Sequence, residues 1–401
     1  MPHQRNRLLL KPLLKSLKTW PVVGLLGARQ TGKSVLLREL LSDTVRYKYR
    51  TLDKNSDRTL AEASPDSFAE EILQSRKTLV IDEAQKVPTL FDSVKAVVDG
   101  HRRPGMFVLS GSSEFSEKTG IRESMTGRIG LLHLFPMTIA ETCTVDSGTY
   151  WGNETSRAIA KVDLDQFERA LERGGMPGMC FLRNEYEWRS AIQLWTETTC
   201  FRDLARLKSM KKDFDGDLAF AILAALAQCD EPTALQVSRK VKRDRRVVQR
   251  YLDGFCVILV LRRLTPHGAG VGDNHYLLLD PGISSYLEAS REVQLRSHVL
   301  KEALAHLVAA GFPLPRLEYY RNARTSRVPI VLTWPRSKGA PKNLAIQIAD
   351  SESYPKSEIA ALRAFHQRLD PGERGAFRLL VLNSASTSEK SNGIELRPLR
   401  G

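Results

Sequence analysis

Apolar residues recur along the first part of the chain at two spacings, one typical of buried strands and one typical of helices. Short apolar runs predict strands at 22–26, 45–52, 78–81 and 106–109. Helical spacing and helix-start residues predict helices at 5–18, 35–41, 64–74 and 89–98. Strands that alternate with helices predict an α/β fold with a parallel sheet in three layers, helices covering both faces.

The remainder of the chain has a different pattern. Residues 160–214 show helical apolar spacing that is broken at Gly174-Gly175 and Pro177-Gly178. Residues 217–266 predict helices joined by a short turn and followed by strands, the pattern of a winged helix-turn-helix. We therefore predict four regions, namely an α/β domain at 1–150, a helical lid at 151–214, a winged helix-turn-helix at 215–290 and a small α/β domain at 291–401 with a flexible tail at 383–394.

The first predicted strand runs into a glycine-rich loop that fits the template G-x-x-x-x-G-K-[ST]. Glycines let backbone N–H groups converge on phosphate oxygens, and the following helix adds its positive N-terminal dipole. In this template the lysine reaches the β and γ phosphates and the serine binds Mg²⁺. The loop therefore predicts an ATP site built from Gly27, Ala28, Arg29, Gln30, Thr31, Gly32, Lys33 and Ser34.

A pair of acids, Asp82 and Glu83, directly follows the predicted strand at 78–81. Ligands of open α/β sheets lie at the carboxyl ends of strands, so both acids are expected beside the loop. Alone, such a pair is usually a solvated loop; together with the glycine-rich loop it predicts a Walker B site. Asp82 would orient Mg²⁺, and Glu83 would polarise the attacking water as a general base.

Two further candidates follow later strands. Ser112 lies in Ser-Gly-Ser-Ser after the strand at 106–109, where a polar group can sense the γ-phosphate; the alternative is an ordinary Ser/Gly turn. Arg128 lies before the strand-like run Leu-Leu-His-Leu-Phe. It would stabilise charge during phosphoryl transfer, in its own site or across a subunit interface, or else form a surface salt bridge.

Composition narrows the compartment and the kind of partner. The 401 residues have a formal net charge of +14, which favours an acidic partner. The five cysteines and eight histidines are scattered without ligand spacing, so Mg²⁺ is the only metal expected and a cytoplasmic location is predicted. The longest apolar run, 255–261, has the length of a core strand and is too short for a membrane span.

The predicted helix-turn-helix carries a concentrated positive charge. Seven Lys or Arg residues lie between positions 239 and 250 against one acid. The turn and the second helix of such a motif contact phosphates and bases, so the cluster predicts binding of double-stranded DNA. The alternative is a solvated basic face on a domain that transmits motion. The residues are Arg239, Lys240, Lys242, Arg243, Arg245, Arg246 and Arg250.

Taken together, these motifs resemble a prokaryotic family of AAA-superfamily ATPases. The resemblance covers about residues 5–350 and includes Gln30 and Gln85 besides the Walker residues. It extends to later motifs at 174–177, 201–204 and 277–282. The family arrangement implies a P-loop ATPase domain, a winged helix and a C-terminal domain related to restriction endonucleases.

The endonuclease-like site that this family carries is only partly present. Glu302 matches its helix acid, but the position of the strand acid reads Arg-Val-Pro at 327–329 and the Glu-x-Lys position reads Gln-Ile-Ala at 347–349. Without those carboxylates and that lysine, Mg²⁺ cannot be held and water cannot be activated, so nuclease activity is not expected.

Three functions remain open from the sequence. The favoured one is an ATP-hydrolysing AAA-type switch coupled to DNA through the basic winged helix. The second is a DNA- or protein-binding module in which nucleotide only stabilises one conformation, with negligible turnover. A nuclease is the third and least supported. A protein partner or a homo-oligomer is compatible with each of them.

Overall fold

The computed structural model describes residues 5–41, 44–75, 77–113, 125–144, 162–210, 214–268, 270, 272–322, 326–336, 341–351, 354–384, 389–391 and 393–399. The chain forms two compact units. The first contains Met1–Pro136 with Val257–Leu259 and Val308–Gly311, and the second contains Met137–Cys256, Val260–Leu307 and Phe312–Gly401. Of the helices described in these ranges, none has the length and apolar character needed to cross a bilayer.

The first unit is built on a five-stranded sheet in which every pairing is parallel, with strand order β2-β3-β4-β1-β5. Strands β1, β3 and β4 are buried along their whole length, which explains their continuous apolar sequences. The predicted parallel α/β architecture is confirmed. The strands are β1 Val22–Leu26, β2 Tyr47–Thr51, β3 Thr78–Asp82, β4 Phe107–Gly111 and β5 Ile129–His133.

The helices of the first unit are α1 Leu10–Leu17, α2 Lys33–Val35, α3 Asn55–Ala63, α4 Pro65–Glu70 and α5 Leu90–His101. The helix predicted after the glycine-rich loop is present, but α2 continues as a π-helical segment over Leu36–Leu40. Helix α3 was not predicted. Its apolar residue Leu60 is 45% exposed, so the helix lacks the apolar stripe that periodicity detects.

The second unit contains a mixed eight-stranded sheet in the order β12-β13-β11-β10-β9-β8-β6-β7. The predicted boundary at residue 290 falls inside this sheet, because β6 pairs with β8. An apolar cluster that includes Tyr320, Leu362 and Phe365 packs against one face. The strands are β6 Leu261–Pro266, β7 His275–Leu278, β8 Arg316–Arg321, β9 Arg327–Thr333, β10 Asn343–Ala349, β11 Phe377–Asn383, β12 Glu389–Ser391 and β13 Ile394–Pro398.

The second unit also contains ten α-helices among its described residues. They are α6 Ile139–Cys143, α7 Leu164–Arg173, α8 Glu185–Glu197, α9 Gly216–Ala227, α10 Ala234–Val241, α11 Arg245–Val257, α12 Pro281–Tyr286, α13 Arg291–Ala309, α14 Lys356–Arg368 and α15 Pro371–Arg374. Part of the predicted lid, 151–161 and 211–213, lies outside the described residues.

The apolar run 255–261 is divided between two elements. Phe255 to Val257 end α11, and Leu259 adopts a left-handed turn conformation with φ 65° before β6 begins at Leu261. A short apolar run cannot distinguish a buried helix end from a strand. The flexible tail predicted at 383–394 contains β12, whose polar residues pair with β13 at the sheet edge; residues 385–388 and 392 are not described.

The motifs at 174–177 and 277–282 pack against each other through a buried carboxylate. Asp280 is 2% exposed, and its two oxygens accept hydrogen bonds from the backbone N–H groups of Gly175, at 2.8 Å, and Gly282, at 3.0 Å. A Cβ atom on Gly174 would lie 1.9 Å from the Asp280 Oδ1 atom. The two motifs are therefore one structural feature, which joins the end of α7 to the start of α12.

Candidate functional site

The glycine-rich loop lies between β1 and α2 at the carboxyl edge of the parallel sheet. The ammonium of Lys33 is buried and donates to the carbonyl oxygens of Gly27, at 2.8 Å, and Ala28, at 3.0 Å. Gly27 must be glycine, because a Cβ atom there would lie 2.5 Å from the carbonyl oxygen of Leu134. Gly32 has φ 93°, which a residue with a side chain rarely adopts.

Asp82 ends β3 beside this loop and is held by hydroxyl groups from three neighbouring elements. Ser34 Oγ donates to Asp82 Oδ2 over 2.8 Å, and Tyr49 Oη donates to the same oxygen over 2.5 Å. The hydroxyl of Ser110, at the end of β4, donates to Asp82 Oδ1. The carboxylate, 3% exposed, is thereby fixed in one orientation next to Ser34.

Glu83 follows in a left-handed conformation with φ 58°, and its carboxylate lies in a second polar group. Ser112 Oγ donates to Glu83 Oε2 over 3.1 Å, and the Gln85 side-chain amide donates to the same oxygen over 2.5 Å. Gln85 also donates to Ser112 Oγ over 3.1 Å. The structure therefore brings Ser34, Asp82, Glu83 and Ser112 together at one edge of the sheet.

The oxygen atoms of Ser34 and Asp82 suit a hard cation. A hydroxyl and a carboxylate oxygen 2.8 Å apart are the donor types that Mg²⁺ prefers, and the ion usually takes its other ligands from water and phosphate. Across the described ranges, no group of three or more His, Cys, Asp or Glu residues is arranged to hold a metal. The Ser34 and Asp82 oxygens therefore fit a magnesium ion.

Arg128 is not brought to this edge. It precedes the five residues of β5, which runs parallel to β1, so it lies at the amino edge of the sheet, about 16 Å from the loop edge. Its guanidinium forms a two-armed ion pair with Asp99, with N–O distances of 2.6 and 2.9 Å. This bond lowers the pKa of Asp99. A role of Arg128 in its own site is therefore wrong, and the surface salt bridge is observed.

Sequence reasoning missed Tyr49 and Ser110 as partners of Asp82. Tyr49 lies on a predicted strand and Ser110 directly follows one, and strand periodicity does not tell which hydroxyl reaches a particular carboxylate. Burial first, and then the bond to Asp82, raise the pKa of Tyr49, so the phenol stays protonated and donates. The Arg38 guanidinium lies 4.4 Å from the centre of the Tyr49 ring.

The helix acid of the endonuclease-like pattern, Glu302, is committed to other contacts. It is 5% exposed and accepts from the N–H of Ile139 at the start of α6 over 2.9 Å. The Lys301 ammonium lies 2.9 Å from Glu302 Oε1. Burial by itself would raise the pKa of Glu302, but Lys301 and His306 outweigh it, and the pKa lies well below its usual value. Glu302 thus stabilises a helix N-terminus within the second unit.

The basic cluster lies where α10, a three-residue turn and α11 meet, followed by the antiparallel hairpin of β6 and β7. Arg250 is partly buried, and the other six side chains are exposed. Arg245 is paired with Asp273 at 2.8 Å, and Lys240 donates to the Gln228 carbonyl. Most of the cluster is therefore exposed to solvent.

The sequence was compared with protein-family models and with known proteins. Residues 19–143 match a family model described as an AAA domain. Uncharacterized proteins of Mycobacterium bovis and Mycobacterium tuberculosis are each 25% identical to this chain over an alignment of 368 residues, and the alignment covers 87% of this chain and 75% of theirs.

Two solved structures were found by structural comparison. A Walker-type ATPase of Pyrococcus abyssi has a TM-score of 0.39 and 16% identity, covering 70% of this chain and 94% of its own. A signal-transduction ATPase with a tetratricopeptide repeat sensor from Pyrococcus horikoshii has a TM-score of 0.30 and 11% identity, covering 76% of this chain and 45% of its own. The N-terminal part of the chain is therefore similar to AAA domains over residues 19–143.

Proposed function

We propose that this protein binds and hydrolyses ATP as an AAA-type molecular switch. The observation that carries the proposal is the convergence of Ser34, Asp82 and Glu83 beside a loop with phosphate-binding sequence. A purely structural loop would not need two carboxylates with separate sets of hydrogen-bond donors at the same sheet edge. The match of residues 19–143 to a family model described as an AAA domain supports this function.

Each residue has a distinct part in the proposed reaction. The loop amides at 27–34 and the Lys33 ammonium bind the phosphates. Ser34 and Asp82 would hold Mg²⁺, which when bound neutralises charge on the phosphate oxygens. Glu83 accepts a proton from the attacking water, and Ser112 and Gln85 keep its carboxylate oriented toward that water.

Multiple-turnover phosphate release by the wild type and by Lys33→Ala tests the proposal. Turnover in the wild type that is lost in Lys33→Ala is the expected result, because the loop then lacks its charged phosphate ligand. Adding duplex DNA at low salt tests whether ATP turnover is coupled to DNA binding; turnover of the wild type should then increase. Binding of ATP without turnover would favour the alternative, a nucleotide-stabilised binding module.

Tyr49→Phe is expected to raise the Mg²⁺ concentration for half-maximal turnover about 3- to 10-fold. The change removes one of the hydroxyls that orient Asp82, while those of Ser34 and Ser110 remain. Tyr47→Phe on the same strand is the matched control, since Tyr47 Oη donates to the Arg38 carbonyl and not to Asp82. Equal Mg²⁺ dependence in both variants would show that the Tyr49 hydroxyl does not contribute to Mg²⁺ binding.

We further propose that α10, α11 and the β6–β7 hairpin form a winged helix that binds double-stranded DNA. The proposal is supported by the six exposed Lys and Arg side chains of the cluster. The turn at 242–244 allows the two helices to follow each other closely, with Lys242 in a left-handed conformation at φ 52°. The start of α11 would be the part that approaches the duplex.

Reversing charge at Arg245 and Arg246 to glutamate is expected to weaken duplex binding at least 10-fold and to leave ATP turnover without DNA unchanged. Fluorescence anisotropy over a salt series measures this, and the wild-type log–log slope should be roughly −3 if about half of the cluster meets phosphates. Glutamate at Arg363 and Arg368, two exposed residues of α14, gives a control with the same change in net charge. If both double variants bind the duplex with equal affinity, the basic cluster is a solvated surface and not the DNA-binding site.

A further inference from the structure

Arg7 is a buried arginine that contacts the glycine-rich loop from outside the motif. It lies in the segment before α1, and its side chain is 8% exposed. One terminal nitrogen donates to the carbonyl oxygen of Thr31 over 2.7 Å, and the other donates to that of Phe135 over 2.7 Å. A single guanidinium thus ties the loop to the segment that follows β5.

The carbonyl that Arg7 contacts belongs to the peptide unit that also contains the N–H of Gly32. A charged donor on a carbonyl polarises its peptide unit and strengthens the N–H as a donor. In loops of this sequence the N–H groups are the phosphate ligands. The charge of Arg7 is therefore placed where it makes a loop amide more attractive to a phosphate oxygen.

The same contact restrains the shape of the loop. Thr31 is fully buried, and both its N–H and its hydroxyl donate to the carbonyl of Ala28, at 3.4 and 2.9 Å. These bonds close the turn on itself, and Arg7 attaches the closed turn to the segment after β5. Gly32 follows directly with φ 93°, so a shift of the Thr31 carbonyl would also change the direction of the Gly32 N–H.

An apolar side chain would fill the same space without the free-energy cost of burying a charge. Because the guanidinium donates to two backbone carbonyls, both its position and its positive charge contribute to the contact with the loop. Hydrophobic patterning alone does not separate Arg7 from the other basic residues of the N-terminal segment, such as Arg5 and Lys11.

We propose that Arg7 is a positioning residue of the ATP site, which acts through the peptide unit between Thr31 and Gly32 to hold and polarise the phosphate-binding loop. The inference rests on the proposed function, since it assumes that the loop binds the phosphates of ATP. It adds a residue of the N-terminal segment to the residues on which nucleotide affinity depends.

The test compares Arg7→Met, Arg7→Lys and the control Lys11→Met, an exposed residue of α1, with the wild type. Calorimetry with Mg·ATP should show about 10- to 100-fold weaker binding for Arg7→Met and no change for Lys11→Met. Lysine keeps the charge but reaches only one carbonyl, so the ATP affinity of Arg7→Lys should lie between those of the wild type and Arg7→Met. At saturating ATP the turnover rate should fall less than 3-fold, because the chemical groups around Glu83 are intact.

Amide hydrogen exchange without nucleotide supplies an independent readout. Peptides covering 27–36 should exchange faster in Arg7→Met, while a peptide from the buried strand β4 should not change. If the wild type binds ATP and Arg7→Met binds equally well, this inference fails and the proposed function stands. If the wild type does not bind ATP, the proposed function fails, and with it the assigned role of Arg7.

Two outcomes identify a merely structural role and overturn the inference. One is faster exchange throughout the first unit of Arg7→Met with wild-type affinity in the folded fraction. The other outcome concerns Arg7→Lys, which is the variant to measure if Arg7→Met does not fold. A folded Arg7→Lys with wild-type affinity and wild-type exchange at 27–36 shows that the two-carbonyl contact does not position the loop.

Discussion

Replacing Glu83 by glutamine is expected to slow ATP turnover by roughly 10²- to 10⁴-fold while ATP binding changes little. Glutamine has the volume of glutamate and can still accept a hydrogen bond from Ser112, so the local geometry is retained. It cannot take a proton from water, which is the step assigned to Glu83. Single-turnover hydrolysis and calorimetric ATP binding on the same preparation separate the two effects.

Glu62→Gln is the matched control, because Glu62 is an exposed residue of α3 and the same charge is removed. It should hydrolyse ATP at the wild-type rate. Turnover that is unchanged in Glu83→Gln would take Glu83 out of the catalytic role. Loss of ATP binding together with turnover would mean that the carboxylate supports the loop and not the chemical step.

Gly174→Ala is expected to destabilise the second unit by about 2–5 kcal/mol, through backbone strain and overpacking together. Gly174 has φ 71° and ψ −157°, a region that is almost restricted to glycine. The added methyl group would collide with the Asp280 carboxylate, whose oxygens are committed to backbone N–H groups. Urea unfolding followed by tryptophan fluorescence measures the loss.

Gly178→Ala is the control from the same loop, because a Cβ atom at Gly178 meets nothing within 4 Å. Its stability should stay within about 0.5 kcal/mol of the wild type. If Gly174→Ala is equally stable, the contact between the motifs at 174–177 and 277–282 is not a determinant of the fold.

The parallel sheet and the edge of the candidate site were predictable because their signals are local. Strands β1, β3 and β4 are buried along their length and so appear as uninterrupted apolar runs. In a parallel sheet the carboxyl ends of the strands meet at one edge. The position of Asp82 and Glu83 beside the glycine-rich loop follows from this rule without any knowledge of side-chain contacts.

Arg128 shows where local reasoning failed. Because Arg128 follows the Walker residues in the sequence, it was a candidate for phosphoryl transfer. In the fold it precedes β5 and therefore lies at the amino edge of the sheet, away from the glycine-rich loop. Glu302 shows the same limit, since its match to a helix acid gave no information about Lys301 and the start of α6, which it contacts in the fold. In both cases the position along the chain did not determine which groups were nearby.

The amino-acid sequence by itself determined the glycine-rich loop, the two acids and the alternation of strands and helices, because each is encoded within a few consecutive residues. Only the tertiary structure decided that Tyr49 and Ser110 hold Asp82, that Gln85 and Ser112 hold Glu83, and that Arg7 contacts the loop. These contacts join residues up to 33 positions apart. They depend on side-chain direction and chain packing, which residue spacing does not specify.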